Sequence, residues 1–120
     1  MGKEQLYKRV HCCAEELLAE KGYIIPVELL VRMDRLKAKR VEDWRFRRIP
    51  YLERVTGGSL GKMNTILQAL REFARASGLK PSRTVYMSWG KGPKVRLRFS
   101  KSGTAYMEEL YSTHFIQPKD

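Results

Sequence analysis

Histidine and cysteine are scarce in this chain: there are two of each, and His11, Cys12 and Cys13 stand side by side. Adjacent thiols build no disulfide framework of the kind on which small secreted domains depend. Consecutive helical residues also diverge by about 100° around the axis, so these three side chains do not converge on one ion. His114 is the only other imidazole and no Cys-x-x-Cys pair exists, which leaves no metal-ligand spacing. Long apolar runs are missing too: a membrane span needs about 20 such residues, and nothing here approaches that. The first residues, MGKEQLYKRV, alternate in charge and lack the apolar segment of a signal peptide. These absences predict a cytoplasmic protein without membrane association. Catalytic pairings are thin as well, because Glu15-Glu16, Glu42-Asp43 and Glu108-Glu109 are neighbours on helical stretches and splay apart. With no nucleophile, base or metal set, the expectation is no enzymatic activity, no cofactor and no metal.

The most informative absence is local. Residues 80–101, KPSRTVYMSWGKGPKVRLRFSK, contain seven Lys and Arg and no Asp or Glu, and so carry +7 of the net +11. Such an excess attracts polyanions, nucleic acid first. The stretch also reads as a β-hairpin: residues 84–89 are rich in β-formers, Gly90-Lys91-Gly92-Pro93 is turn chemistry, and residues 94–99 alternate basic with apolar. A period of two puts Val95, Leu97 and Phe99 on one face and Lys94, Arg96 and Arg98 on the other. Val85, Met87 and Trp89 are expected to share the apolar face, with Tyr86 and Ser88 beside the cations. An isolated hairpin is marginal in water, so its apolar face should lie on the domain. The outer face is then a basic ribbon with Lys91 at its tip, Lys101 at its end and Tyr86 as an aromatic on which a base could stack.

The remainder of the 120 residues supplies the support, and 42% hydrophobic content suffices for one core. Leu6, Val10, Cys13, Ala14, Leu17 and Leu18 have the spacing of one helical face over residues 3–21, and Gly22 closes it. Pro26 opens a second helix over 27–33. A third is predicted over 37–48, with Trp44 inward and Pro50 as its stop, and residues 51–55 add a turn before Gly57-Gly58. Ser59 caps a fourth helix, 59–77, whose Leu60, Met63, Ile66, Leu67, Leu70, Phe73 and Ala74 form a wide apolar stripe. A short helix over about 104–112 closes the chain. The expected fold is a single α+β domain, mainly α-helical, winged-helix or helix-turn-helix in type, with the basic hairpin as wing.

Helices 27–33 and 37–48 flank a turn at 34–36, the proportions of a helix-turn-helix. Its second helix would bring Lys39, Arg40, Arg45, Arg47 and Arg48 to a major groove. The plain alternative is two short helices whose cations merely face water. The segment TGGSLGKM is near a phosphate-binding loop but has Thr56 where its first Gly belongs and Met63 where Ser or Thr belongs. Anion attraction at a helix N-terminus survives, with Lys62 beside it. The expected partner is nucleic acid, DNA before RNA. RNA binding through Tyr86, or docking of an acidic protein on the basic face, are the competing classes.

The phrases VEDWRFRRIPYLERV, LKPSRTVY and LRFSKSG, the last followed by YSTHF, resemble a group of small bacterial proteins with no established function. The likeness runs from about Tyr23 to the C-terminus and implies a bacterial, cytoplasmic module. That group carries Gly where Asp34 stands and an acidic residue where Thr104 stands. Asp tolerates a left-handed turn better than most residues, and Thr remains a good N-cap.

Overall fold

Five apolar residues at helical spacing, Leu6, Val10, Cys13, Ala14 and Leu17, form the buried face of α1 (Lys3–Lys21). The helix ends at Gly22, whose φ of 77° only glycine adopts cheaply and whose N–H donates to the Leu18 carbonyl. The computed structural model describes residues 2–57 and 59–118, and of Leu60 the backbone alone. Gly58, expected to help break the chain, and the inward Leu60 side chain therefore lie outside the described residues. After α1 come β1 (Tyr23–Ile24), α2 (Pro26–Arg32), α3 (Ala38–Arg45), a 3-10 turn (Leu52–Val55), α4 (Leu60–Ala76), β2 (Lys80–Arg83), α5 (Ala105–Ser112) and β3 (Thr113–Ile116). The architecture is α+β and mainly helical, with α4, whose Met63, Ile66, Leu67, Leu70 and Phe73 are buried, packed against α1.

Helix ends were set by short-range chemistry. Pro26 is the first residue of α2, where its missing N–H costs nothing. Asp34 takes the left-handed conformation (φ 59°), and the N–H groups of Asp34 and Arg35 donate back to Val31 and Leu30, closing α2 as a Schellman motif. Gly78 closes α4 the same way, onto Arg75 and Ala74. Ser59 accepts from the Lys62 amide and Thr104 from Met107, the two side-chain caps expected of them.

Three expectations need correction. The third helix ends at Arg45, not near residue 48. Arg47 has φ 64°, and the amides of Arg47 and Arg48 donate to Trp44 and Asp43, a third Schellman closure with Arg where Gly is usual. A three-stranded antiparallel sheet, order β1-β3-β2, was also not foreseen. Lys80-Pro81-Ser82-Arg83 has little β-propensity, yet an edge strand tolerates Pro81, which lies opposite Phe115. Pairing with β3, which in turn pairs with Tyr23 and Ile24, overrides the local preference.

The third correction concerns the hairpin's faces. Residues 84–99 form a loosely paired ribbon with one bridge, Met87 opposite Arg96, flanked by hydrogen bonds from the Ser88 amide to the Val95 carbonyl and from the Leu97 amide to the Tyr86 carbonyl. A four-residue turn makes Trp89 oppose Lys94, so Val85, Met87 and Trp89 share a face with the cations and Tyr86 turns inward with Leu97 and Phe99. Turn length and the two apolar alternations were incompatible, and it is Leu97 and Phe99 of the second strand that kept the inner face. Tyr86 joins Trp44, Phe99 and Tyr111 in an aromatic nucleus with centroid separations of 5.0–5.5 Å. The Trp44 indole N–H donates to the Arg98 carbonyl at 2.8 Å, and the Leu52 and Glu53 amides donate to Arg98 and Phe99, so both edges of residues 97–99 are held. Two carboxylates finish the clamp without a cation. Glu53 accepts from the Tyr111 hydroxyl (2.6 Å) and the Lys101 amide (2.8 Å), and Glu108 accepts from the Phe99 and Ser100 amides. Burial, followed by the bond to Glu53, pushes the Tyr111 phenol far above its ordinary range, so it remains a donor.

Candidate nucleic-acid interface

Two cations of α3, Lys39 and Arg40, are paired within their own helix. Asp43, two residues after Val41 and largely covered, lies 3.8 Å from Lys39, 3.6 Å from Arg40 and 3.0 Å from Arg48, and Lys39 also reaches Glu42. The i,i+3 and i,i+4 spacings bring Lys39 and Arg40 there. Arg48 arrives only because the left-handed Arg47 folds the chain back. Each exposed pair is worth little by itself, but three cations around one carboxylate leave that corner less positive than its sequence. Arg47 is exposed, with no ion pair among the described residues.

Arg45 serves the ribbon. Its guanidinium lies 4.9 Å from the Tyr86 ring centre and 4.7 Å from that of Trp89, donates to the Met87 carbonyl at 3.1 Å, and its own carbonyl accepts from the Trp89 amide. Burial pulls the Arg45 pKa down, with Tyr86 opposing, but a guanidinium keeps its charge. Burial likewise pushes the Tyr86 phenol up to about 12, and its hydroxyl meets His114 Nε2 at 3.1 Å. Tyr86, expected among the cations, is thus a half-buried packing residue.

The ribbon's own cations divide by what they touch. Lys91 at the tip and Arg96 on the outer face have no ion pair among the described residues. Lys94 donates to the Gly90 carbonyl at 2.8 Å, the ordinary closure of a turn whose Gly90 and Gly92 have φ of 102° and 95°. Arg98 is partly structural: it donates to the Ser100 and Lys101 carbonyls and lies over the Tyr51 ring at 5.4 Å. Arg83, Arg96 and Arg98 line an open cleft of about 440 Å³ beside Gly103 and Ala105, where Glu108 and Glu109 also appear. Glu108 is occupied by backbone amides and Glu109 pairs with Arg83 at 3.7 Å. The Lys101 side chain is exposed, and Lys62 sits in the first turn of α4 with no described contact to the ribbon.

Compared with known proteins, the chain matches no family model, no curated protein and no solved structure. The site therefore rests on its own chemistry. Among the described residues no group of three or more His, Cys, Asp or Glu is placed to hold a metal, and no helix is long and apolar enough to cross a membrane. Cys13 is buried, which raises its thiol pKa, and Cys12 is exposed.

Several residues of the surface were expected inside: the sequence pattern put Val85, Met87 and Trp89 on the face toward the domain, and Phe46 was a candidate for the inner side of its helix. Trp89 is 47% exposed and Phe46 39%, their rings edge to face at 5.7 Å, with Arg48 5.0 Å over Phe46. Val85 and Met87 are exposed beside them. Counting across the four-residue turn puts Trp89 on one face with Lys94, but only packing on the domain decides that this face is the outer one. The outer face of α4, with Asn64, Arg71, Glu72 and Arg75 exposed and Thr65 and Gln68 partly covered, was visible only as the gaps in an apolar stripe.

Proposed function

We propose that this protein binds nucleic acid without acting on it chemically, that double-stranded DNA is its principal ligand, and that its fold is of the winged-helix type. The element order supports the fold: α1, β1 and α2 precede α4, α4 runs into β2 through residues 77–79, and the basic ribbon, followed by α5, lies between β2 and the central strand β3. One observation carries the functional reading. Lys91, Arg96 and Lys101 on the ribbon, and Lys62, Arg71 and Arg75 on α4, have no carboxylate within ion-pair distance among the described residues, whereas Lys39, Arg40 and Arg48 of the α3 region share Asp43. Free cations release counterions from phosphate on binding, and neutralised ones contribute far less.

In this reading α4, not α3, is the helix that meets base edges. Asn64, Arg71 and Arg75 supply the amide and guanidinium chemistry that pairs with adenine and guanine in a major groove. Gln68 is held by the Tyr106 hydroxyl on α5 and acts in positioning. The ribbon grips the backbone, which fixes orientation without reading sequence. Anisotropy of a labelled blunt duplex across about 50 to 200 mM salt tests this. With about five phosphate contacts the log-log slope is about −4 to −5, and Arg96→Ala with Lys91→Ala flattens it by about 2. Lys39→Ala with Arg40→Ala leaves the slope within about 0.5 of wild type, since those cations are already compensated. Absence of duplex binding at the low-salt end overturns the proposal.

A further inference from the structure

The free cations explain attraction to phosphate, but not why a Trp and a Phe stand exposed in contact with one another. Trp89 is not a loose surface residue. Its amide donates to the Arg45 carbonyl at 2.7 Å, the Arg45 guanidinium lies against its ring and is itself backed by Tyr86, and Phe46 meets its edge. Both ends of this support are rooted in structure, Arg45 as the last residue of α3 and Tyr86 in the aromatic nucleus. The indole is therefore held in place before anything binds, which removes much of the ordering cost a mobile side chain would incur. Across the turn Lys94 lies opposite it and Arg96 opposite Met87 on the same face, and residues 80–101 hold no carboxylate.

We infer that Trp89 and Phe46 form a stacking platform for an unpaired nucleobase, with the phosphates on either side of that base held by Lys94 and Arg96. The inference rests on the nucleic-acid reading above and narrows it: the preferred ligand is a duplex with a single-stranded extension or gap, not a continuous blunt duplex. A rigid π-face flanked by cations accepts any base, because every base has a face to stack and every linkage has a phosphate to neutralise. An acidic, apolar peptide would meet the same charge but gains less from a fixed aromatic face.

The two tryptophans make the test direct. Trp44 is fully buried, its indole N–H on the Arg98 carbonyl, so a ligand-dependent emission change reports Trp89. Trp89 emission is followed in the wild type and anisotropy of labelled ligands in every variant, the ligands being an oligothymidylate of about 12 nucleotides, an abasic strand of equal phosphate number, a blunt duplex, the same duplex with a single-stranded extension, and a poly-glutamate peptide. The platform predicts quenching by the oligothymidylate, binding weakened about ten-fold or more by Trp89→Ala, and most of it retained by Trp89→Phe. Phe46→Leu gives a smaller loss in the same direction. The abasic strand binds wild type no more tightly than the oligothymidylate binds Trp89→Ala, and blunt-duplex affinity changes less than about two-fold in that variant. Equal binding of the abasic and normal strands, or quenching by the peptide but not by the strand, overturns the platform. Strand binding of the expected pattern without any duplex binding overturns the duplex reading and leaves the platform standing.

Discussion

His114 lies between two hydroxyls, with Thr84 Oγ1 3.3 Å from Nδ1 and Tyr86 Oη 3.1 Å from Nε2. A neutral imidazole can accept from one and donate to the other, whereas an imidazolium can only donate. Burial lowers the His114 pKa below its ordinary 6.5, with Glu28 opposing. The unfolded chain therefore takes up the proton first, so this contribution to stability is full above about 6.5 and is lost as pH falls through the folded value. Tyr86 has the opposite sign: its folded pKa is raised, so its share is full below about 10 and is lost as pH climbs through about 12. Urea unfolding at about pH 7.5 and 5 should show the wild type losing more stability on acidification than His114→Gln, the difference being the imidazole's own term. Equal losses in the two proteins would remove His114 from the account. Tyr86 looked in the sequence like a residue beside the cations. Whether its ring faced water or Trp44 depended on a strand partner, which no local pattern names.

At the scale of elements, the ribbon shows how a turn decides a face. Side chains alternate with a period of two, so shifting the register by one residue exchanges every inner for every outer position. The turn between Trp89 and Lys94 sets that register, and Gly92 at φ 95° permits it. Gly92→Ala forces a side chain into a conformation costing about 1–2 kcal/mol. Only one bridge and its flanking bonds pair the ribbon, so this cost should appear as local opening. Amide exchange at Ser88 and Leu97 is expected to accelerate about five-fold or more, while exchange in α1 is unchanged. Uniform acceleration throughout the protein would show instead that the ribbon and core unfold together. The helices were more legible. α1 and α4 followed from apolar spacing and their glycine closures, and the turn at Asp34 from its tolerance of a left-handed backbone. The premature end of α3 was not legible, because nothing in its composition marks Arg47 as a left-handed residue.

Across the whole molecule, β3 joins segments from both ends of the fold. Its Phe115 lies opposite Ile24 of β1 and Pro81 of β2, and its side chain is buried. Phe115→Ala is predicted to cost about 3–5 kcal/mol, a large share of the about 5–15 kcal/mol typical of a domain. Because one strand serves both edges, protection at Tyr23–Ile24 and at Lys80–Arg83 should fall together when followed by hydrogen exchange. Loss at one edge alone would mean that the edges are stabilised independently.

The chain's own order of residues determined its charge excess, the carboxylate-free stretch at 80–101, the caps at Ser59 and Thr104 and the helical faces of α1 and α4. Each of these depends on residues within a few positions of one another, where propensity and periodicity act. Lys39 and Arg40 reach Asp43 by helical spacing, but the folded backbone decided that Arg48 joins them, because its approach needs the chain to turn back at Arg47. Tertiary structure also decided that Trp89 is exposed and Tyr86 is not, and it closed the clamp in which Glu53 meets Tyr111, 58 residues away. Such outcomes are set by distances through space, and those exist only once the chain has folded.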